Sequence, residues 1–296
     1  MRDAFSEYHP LINFIYFVFV IGFTMFFVNP VCLAVTFFSS VIYSINICGV
    51  KAVKFQFKIM FPVMILTAVI NPAFSHAGIT VITYFPNGNP LTLESIIYGI
   101  ASGVMLASVL CWFLCLNKVM SSDKVIYLFG RAVPGLSLVL SMTLRFIPGL
   151  KVQLKAISDA QKCLDGGNEN KGLFRKIKRG LQTLSILVTW ALENSIDTAD
   201  SMRSRAYGIK GRTSFSLYRF SRRDAYLLLW MAGCGIYIVC GAALKAVYWQ
   251  YYPVIKGNMA GVYSISVFVI YLALCLTPVI INICEERRWK TLKSEI

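Results

Sequence analysis

Two aspartates and two arginines near the middle of the chain have the clearest capacity for chemistry. Asp197 and Asp200 are three residues apart, and Asn194 precedes them by the same interval, so a helix would place all three side chains on one face. Carboxylate oxygens so arranged can hold Mg²⁺, and Arg203 and Arg205 beside them can bind a diphosphate. Membrane prenyl- and phosphatidyl-transferases work this way, but they use a second acidic cluster, which this sequence lacks.

The elements that position these residues belong to a membrane protein. Hydrophobic residues make up 57% of the chain and charged residues 15%, against about 45–50% and about 25% in soluble proteins. Six apolar runs approach the ~20 residues that cross a bilayer; the third is short and either crosses or dips into the membrane. We predict an all-α polytopic fold with spans at Leu11 to Val28, Pro30 to Cys48, Ile59 to Ile70, Leu91 to Asn117, Ala225 to Val247 and Ala260 to Cys284.

Positive charge predicts the orientation, because Lys and Arg remain on the cytoplasmic side during insertion. Cations follow the second, fourth and sixth runs, and the segment from Asn71 to Pro90 has no Lys, Arg, Asp or Glu. The block from Lys118 to Arg223 holds 19 of the 29 Lys and Arg but only 7 of the 14 Asp and Glu. We therefore predict a multi-pass protein of the cell membrane with both termini in the cytoplasm.

The same patterns divide the chain into four parts. Residues 1–117 carry spans one to four, residues 118–223 form cytoplasmic or interfacial helices, residues 224–284 carry spans five and six, and residues 285–296 form a cytoplasmic tail. A net charge of +15 would also suit a nucleic-acid-binding protein. Topology and anionic lipid headgroups account for it here, so we expect no nucleic-acid partner.

Amphipathic helices are predicted within the basic block. After Pro148, apolar residues recur at helical spacing as far as Leu164, with lysines on the other face. A second helix begins near Leu173, and the cations crowded into its first turns oppose the helix dipole; lipid phosphates or an acidic partner would explain them. A third helical segment places Arg205 in its last turn, where the helix dipole alone also accounts for a cation.

Small residues form a stripe along the fourth apolar run. Ser95, Gly99, Gly103 and Ala107 repeat every fourth residue and so share one helix face. Small side chains let another helix approach closely. The neighbour is either a helix of this chain or a separate membrane subunit.

Other catalytic patterns are missing from the sequence. The two histidines, His9 and His76, fall on opposite sides of the predicted membrane, which excludes a metal site or catalytic triad built from both. The segment 167–172 lacks the Lys-Ser/Thr pair of a Walker A phosphate-binding loop. We therefore interpret the chain as a non-enzyme without cofactor or bound metal.

Three segments of the chain follow one another in a specific order and spacing. They are Asn71 to Thr80 (NPAFSHAGIT), Pro134 to Pro148 (PGLSLVLSMTLRFIP) and Ala199 to Gly208 (ADSMRSRAYG), with Ala160-Gln161 between the last two. Together they resemble the transmembrane T component of energy-coupling factor transporters, which are ABC-type importers of vitamins and transition-metal ions. The resemblance extends over the whole chain in hydropathy.

This resemblance implies a membrane scaffold. In the family, the T component couples ATP hydrolysis by two partner ATPase subunits on the cytoplasmic side to a small membrane substrate-binding (S) subunit. The substrate site lies on the S subunit, so the implied cargo is a vitamin or a transition metal without further distinction.

The resemblance also implies which residues contact the ATPases. In the family, two Ala-Arg-Gly signatures at the ends of coupling helices place an arginine in an acidic groove of each ATPase. The second signature aligns with Ser204-Arg205-Ala206, which keeps the arginine. The first aligns with Cys163-Leu164-Asp165, where Leu164 replaces the arginine. Either Lys162 substitutes for it, or one ATPase is engaged differently.

Three other classes of membrane protein remain open at this point. A secondary transporter would carry ionisable residues within its spans, and these runs contain almost none. A Mg²⁺-dependent transferase would depend on Asp197 and Asp200. A scaffold without transport activity would bind partners without supporting uptake.

Overall fold

The computed structural model describes residues 3–75, 77–84, 90–132, 134–164, 172–207, 218–257 and 261–294. The chain divides into two compact units. The apolar unit contains Met1–Ser121 and Tyr218–Ile296, and the basic unit contains Ser122–Leu217. Each unit is described by itself.

Helices dominate the described residues, as the sequence predicted. A short 3-10 helix at Ala4–Glu7 precedes them. In chain order the elements are α1 Pro10–Phe26, α2 Pro30–Phe74, β1 Val81–Tyr84, β2 Pro90–Thr92, α3 Leu93–Val119, α4 Ser122–Ala132, α5 Pro134–Leu164, α6 Leu173–Ser204, α7 Arg222–Ala243, β3 Trp249–Gln250, β4 Lys256–Gly257 and α8 Val262–Ser294.

Four helices in the described part of the chain are long and apolar enough to cross a membrane. They are Pro30–Val50, Leu93–Val119, Arg222–Ala243 and Val262–Lys293. The first and third predicted spans correspond to the shorter apolar helices Pro10–Phe26 and Met60–Phe74. Both are shorter than the ~20 residues of a full crossing. The all-α polytopic membrane fold is confirmed, with four spans of full length and two shorter apolar helices.

A break inside α2 separates one of the four spans from one of the shorter helices. Gly49 has φ 76° and ψ 164°, a left-handed backbone conformation that glycine adopts without a Cβ clash. The helix therefore changes direction between its first part, which begins with Asn29 capping the amide of Val31 at 3.0 Å, and the part that ends at Phe74. One helix thus supplies two separately oriented apolar segments.

Five aromatic side chains form the centre of the apolar unit, and each is at most 1% exposed: Phe5, Tyr16, Phe17, Tyr43 and Trp112. The ring centroids of Phe5 and Tyr16 are 5.1 Å apart at an interplanar angle of 69°. Trp112 lies 6.1 Å from both Tyr16 and Tyr43. The Phe5–Tyr16 and Tyr16–Trp112 pairs are edge-to-face, and such pairs add about 0.5–1.5 kcal/mol each beyond the burial of area. The cluster joins α1, α2 and α3.

Two short antiparallel hairpins lie between the apolar helices, and the sequence did not predict them. β1 pairs with β2, and β3 pairs with β4. Their strands have two to four residues, too few for an alternating pattern to be recognised. Beside the second hairpin, the Tyr251 hydroxyl donates to the carbonyl of Val28 at 2.8 Å. Burial raises the pKa of Tyr251 to about 12, so this donor keeps its proton at neutral pH.

The basic unit has longer helices than the sequence predicted. We expected a helix boundary at Pro148, but α5 continues through it. Proline removes one helical N–H, and contacts of α5 with α4 and α6 hold the helix together. Likewise, α6 is continuous from Leu173 to Ser204. It includes the predicted second helix and most of the predicted third helical segment.

Candidate functional site

An open cavity of about 690 Å³ lies between the N-terminal half of α5 and the C-terminal half of α6. Its position follows from the antiparallel packing of the two helices, in which Gln161 contacts Thr183 and residues near 145 face residues near 198. Polar and charged side chains line much of its wall, including Arg145, Trp190, Asn194, Asp197, Ser201 and Arg205.

Arginines from two separate motifs meet in this cavity. Arg145 belongs to the segment between the two prolines of α5, and Arg205 follows α6. Asp197 and Asp200 are both exposed; Asp197 contributes a carboxylate to the same wall, whereas Asp200 is not among the lining residues. Guanidinium groups bind carboxylates through two parallel hydrogen bonds. The cavity is therefore suited to an acidic side chain of a partner.

The end of α6 determines where Arg205 lies. Arg205 is the first residue beyond the helix, with φ −87° and ψ 16°, whereas the sequence predicted that it lies in the last turn of a helix that ends near Tyr207. The amide of Tyr207 donates to the carbonyl of Met202, and that of Ala206 donates to Arg203, both at 3.0 Å. This pair of hydrogen bonds is a Schellman motif, and it fixes the backbone around Arg205.

Ala206 adopts the left-handed conformation in this motif, with φ 58°. Glycine usually occupies this position, because a Cβ there costs about 1–2 kcal/mol. The glycine in the third position of the family's Ala-Arg-Gly signature therefore has a physical reason: it ends the helix immediately after the arginine. Here the helix ends in the same way although alanine replaces glycine.

Replacing Ala206 with glycine is expected to stabilise the end of α6. The substitution removes the strain of a left-handed alanine, and glycine loses about 0.5–1 kcal/mol more backbone entropy on folding, so the net gain should be below about 1 kcal/mol. Thermal unfolding in detergent measures it. Ala199→Gly, within the exposed part of the same helix, is the control and should destabilise by about 1 kcal/mol. Equal destabilisation by both variants would contradict this account of the cap.

The other predicted contact end, at the C-terminus of α5, has a different character. The Lys162 ammonium lies 3.4 Å from Asp159 of the same helix, and both side chains are more than half exposed. Leu164 is 86% exposed, and Cys163 is an exposed cysteine that forms no disulfide. Asp165 lies outside the described residues. Lys162, Cys163 and Leu164 are not among the residues lining the cavity at Arg205.

A second cavity, of about 350 Å³, adjoins this end of α5. It contains Arg179, which the sequence pattern alone does not distinguish from the neighbouring cations. Arg179 lines it together with Gln161, Leu164 and Gln182. The Thr183 hydroxyl, one turn further along α6, lies 2.7 Å from Gln161 Oε1. In the sequence Arg179 is one of four cations at the start of α6, and spacing alone does not show which of them faces α5.

The small-residue stripe of α3 packs against α2 of the same chain. Ser95, Gly99, Gly103 and Ala107 are all buried. A Cβ placed on Gly99 would lie 2.9 Å from the carbonyl oxygen of Ala68, and one on Gly103 would lie 2.9 Å from that of Met64. The two backbones approach so closely that this face is occupied within the apolar unit.

The first of the three motifs is attached to the start of α3. Glu94, only 4% exposed, accepts hydrogen bonds from the amide and hydroxyl of Thr80. The amide of Leu93 donates to the carbonyl of Thr80 at 3.0 Å. A Cβ on Gly78 would lie 2.6 Å from Glu94 Oε2, so glycine is required beside the carboxylate. The buried Glu94 therefore holds this motif in place; His76 lies outside the described residues.

The transferase interpretation depends on Asp197 and Asp200, which lie differently with respect to the arginine-lined cavity. Among the residues that the structure describes, no three His, Cys, Asp or Glu side chains lie close enough to hold a metal ion. Asp197 faces the arginine-lined cavity, and Asp200 is not among its lining residues.

Comparison with known proteins identifies the family. The family of CbiQ cobalt transport proteins matches residues 7–215, which is 209 of the 296 residues. The chain belongs to this family. The match includes both α5 and α6, so the cavity containing Arg145 and Arg205 lies within the part of the CbiQ family that this chain shares.

Individual members of this wider group resemble the chain over a shorter stretch. It is 32% identical to the energy-coupling factor transporter transmembrane protein EcfT of Lactobacillus helveticus over 111 residues, 36% of this chain and 40% of the relative. It is 34% identical to EcfT of Listeria innocua over 118 residues, 40% and 43% of the two chains. The EcfT of Lactococcus lactis is 37% identical over 100 residues, 33% and 37%.

These relatives confirm the resemblance to the T component that the motifs indicated. The matched stretch spans about two fifths of the EcfT chains. Together with the CbiQ match and the apolar helices, it establishes a membrane-embedded component of a transporter.

Proposed function

We propose that this chain is the membrane scaffold of an energy-coupling factor importer. It couples ATP hydrolysis by two partner ATPase subunits to a small membrane S subunit that binds a vitamin or a transition metal. The observation that carries the proposal is the meeting of Arg145 and Arg205, from two family motifs, in one cavity at the end of α6. The scaffold itself catalyses no reaction.

Residues 118–223 form the coupling part of the scaffold in this proposal. Arg205, between Ser204 and Ala206, enters an acidic groove of one ATPase, and Arg145 and Asp197 orient it within the cavity. The end of α5, at Lys162, Cys163, Leu164 and Asp165, approaches the other ATPase. The chain lies in the cell membrane with both ends on the cytoplasmic side, because only that orientation presents α5 and α6 to ATP.

The stiffness of α6 provides the physical basis for coupling. Its 32 residues extend over about 48 Å at 1.5 Å per residue. ATP-driven closure of the ATPase pair displaces the groove that holds Arg205, and a continuous helix transmits that displacement to its other end and to α5, which packs along it. The S subunit, resting on the membrane-embedded helices, then experiences a changed surface.

Purification of the tagged chain from its own membranes tests the proposal. We expect two nucleotide-binding subunits and one small hydrophobic protein to copurify in detergent, and the complex to show ATP-dependent uptake after reconstitution into vesicles. Parallel vesicles that receive a non-hydrolysable analogue in place of ATP are the control, and they should show no uptake. Recovery of the chain without nucleotide-binding subunits would contradict the proposed function, as would Mg²⁺-dependent transferase activity lost on Asp197→Asn.

A further inference from the structure

The cavity at the end of α5 contains a cation in a position to replace the missing signature arginine. We infer that Arg179 of α6 supplies the guanidinium for the second ATPase, across the helix pair from Leu164. This inference rests on the proposed function and names the residue that completes it.

Helix packing places Arg179 at the required end of α5. Gln161 begins the last turn of α5, and its amide oxygen lies 2.7 Å from the Thr183 hydroxyl of α6. Since the helices are antiparallel, the turn of α6 that precedes Thr183 faces the turn of α5 that follows Gln161. Arg179 and Leu164 accordingly line the same cavity. A guanidinium thus reaches this end from the neighbouring helix.

Arg179 is a better anchor for a carboxylate than Lys162. The Lys162 side chain is 54% exposed, and an ammonium is a compact, strongly hydrated charge. Arg179 is partly buried, so its long side chain has less rotamer freedom left to lose on binding. Its planar guanidinium can form two parallel hydrogen bonds with one carboxylate.

The neighbours of Arg179 define the chemistry of the surface that it would bind. Leu164 is 86% exposed, and the amides of Gln161 and Gln182 line the same cavity. The matching surface is an acidic groove with an apolar rim, in which carboxylates meet Arg179 and an apolar pocket receives Leu164.

Both contact ends of the helix pair would then present an arginine attached to α6. Arg205 follows its C-terminus, and Arg179 lies near its N-terminus. The loss of arginine from position 164 therefore leaves the two contacts chemically alike. It also explains part of the cationic cluster at the start of α6, where positive charge opposes the helix dipole.

The affinity of the chain for the ATPase pair that copurifies with it tests the inference. We expect Arg179→Gln to weaken binding about tenfold or more, since a charged anchor is truncated, and Arg179→Lys to fall between it and the wild type. Lys178→Gln, which removes an exposed cation next to Arg179, is the matched control and should change affinity less than about twofold. Adding Leu164→Arg to Arg179→Gln should restore most of the binding.

The rescue separates a recognition role from a structural one. If Arg179 only stabilised the helix pair, an arginine at position 164 would not restore binding, and that result would overturn the inference, as would unchanged affinity for Arg179→Gln. Thermal unfolding of each variant in detergent shows whether the pair of helices is intact. If Arg205→Ala loses ATPase binding and Arg179→Gln keeps it in full, this inference alone is rejected. If both variants bind the ATPase pair in full, the proposed function is rejected.

Discussion

Arg205→Ala is expected to remove most of the association between the chain and its ATPase subunits. Truncating one partner of a buried charge pair at an interface costs about 2–5 kcal/mol, which corresponds to an affinity about 30-fold to several thousand-fold lower. The loss is large because the carboxylates of the acidic groove would remain buried without a counter-charge. ATP-dependent uptake should fall with it.

Pull-down of the ATPase pair from detergent, titrated to give a dissociation constant, measures this effect. Arg203→Ala is the matched control, because Arg203 is an exposed arginine two residues away and is not among the residues lining the cavity. Arg205→Lys should retain part of the affinity, since it keeps the charge but loses the planar fork. Unchanged pull-down with Arg205→Ala would show that the contact lies elsewhere.

Gly103→Val should destabilise the apolar unit more than any other single change proposed for it. A Cβ at this position would lie 2.8 Å from the Thr67 hydroxyl oxygen and 2.9 Å from the carbonyl oxygen of Met64. Backbone cannot yield as a flexible side chain would, so α2 and α3 must separate. Overpacking of this kind costs about 1–3 kcal/mol, occasionally more.

Gly22→Val in α1 is the control for this substitution. It makes the same chemical change in another apolar helix, at a position where nothing lies within 4 Å of an added Cβ. Thermal unfolding in detergent and the amount of folded protein in the membrane compare the two. Equal stability of the two variants would show that the stripe of α3 is not a close packing face.

Hydropathy predicted the apolar helices well, because the requirement for ~20 apolar residues is a property of the sequence itself. It also separated the second run, which ends at Cys48, from the third run, which begins at Ile59, and the break of α2 at Gly49 lies between them. Hydropathy does not show that one helix runs through both segments, interrupted by the left-handed conformation of Gly49. The first and third of the six predicted runs correspond to apolar helices shorter than a full span, and only for the third did the sequence leave the crossing open.

The candidate site was predictable only in part. Arg205 was identified from a motif, whereas Arg145 and Arg179 gained importance from the antiparallel packing of α5 and α6. That packing depends on α5 continuing through Pro148, and propensity alone predicts a boundary there. Contacts between residues far apart in sequence decide whether such a proline ends a helix.

Because α6 is unbroken, the number of residues between Arg179 and Arg205 determines how the two arginines are rotated relative to each other about the helix axis. With 3.6 residues per turn, one residue inserted between Arg179 and Arg205 would rotate the two arginines relative to each other by about 100° and move them apart by about 1.5 Å. Two sites on separate ATPases could not then be engaged together. In the proposed complex, such an insertion should therefore weaken ATPase binding, whereas substitutions at the many exposed positions along α6 leave the helical phase unchanged.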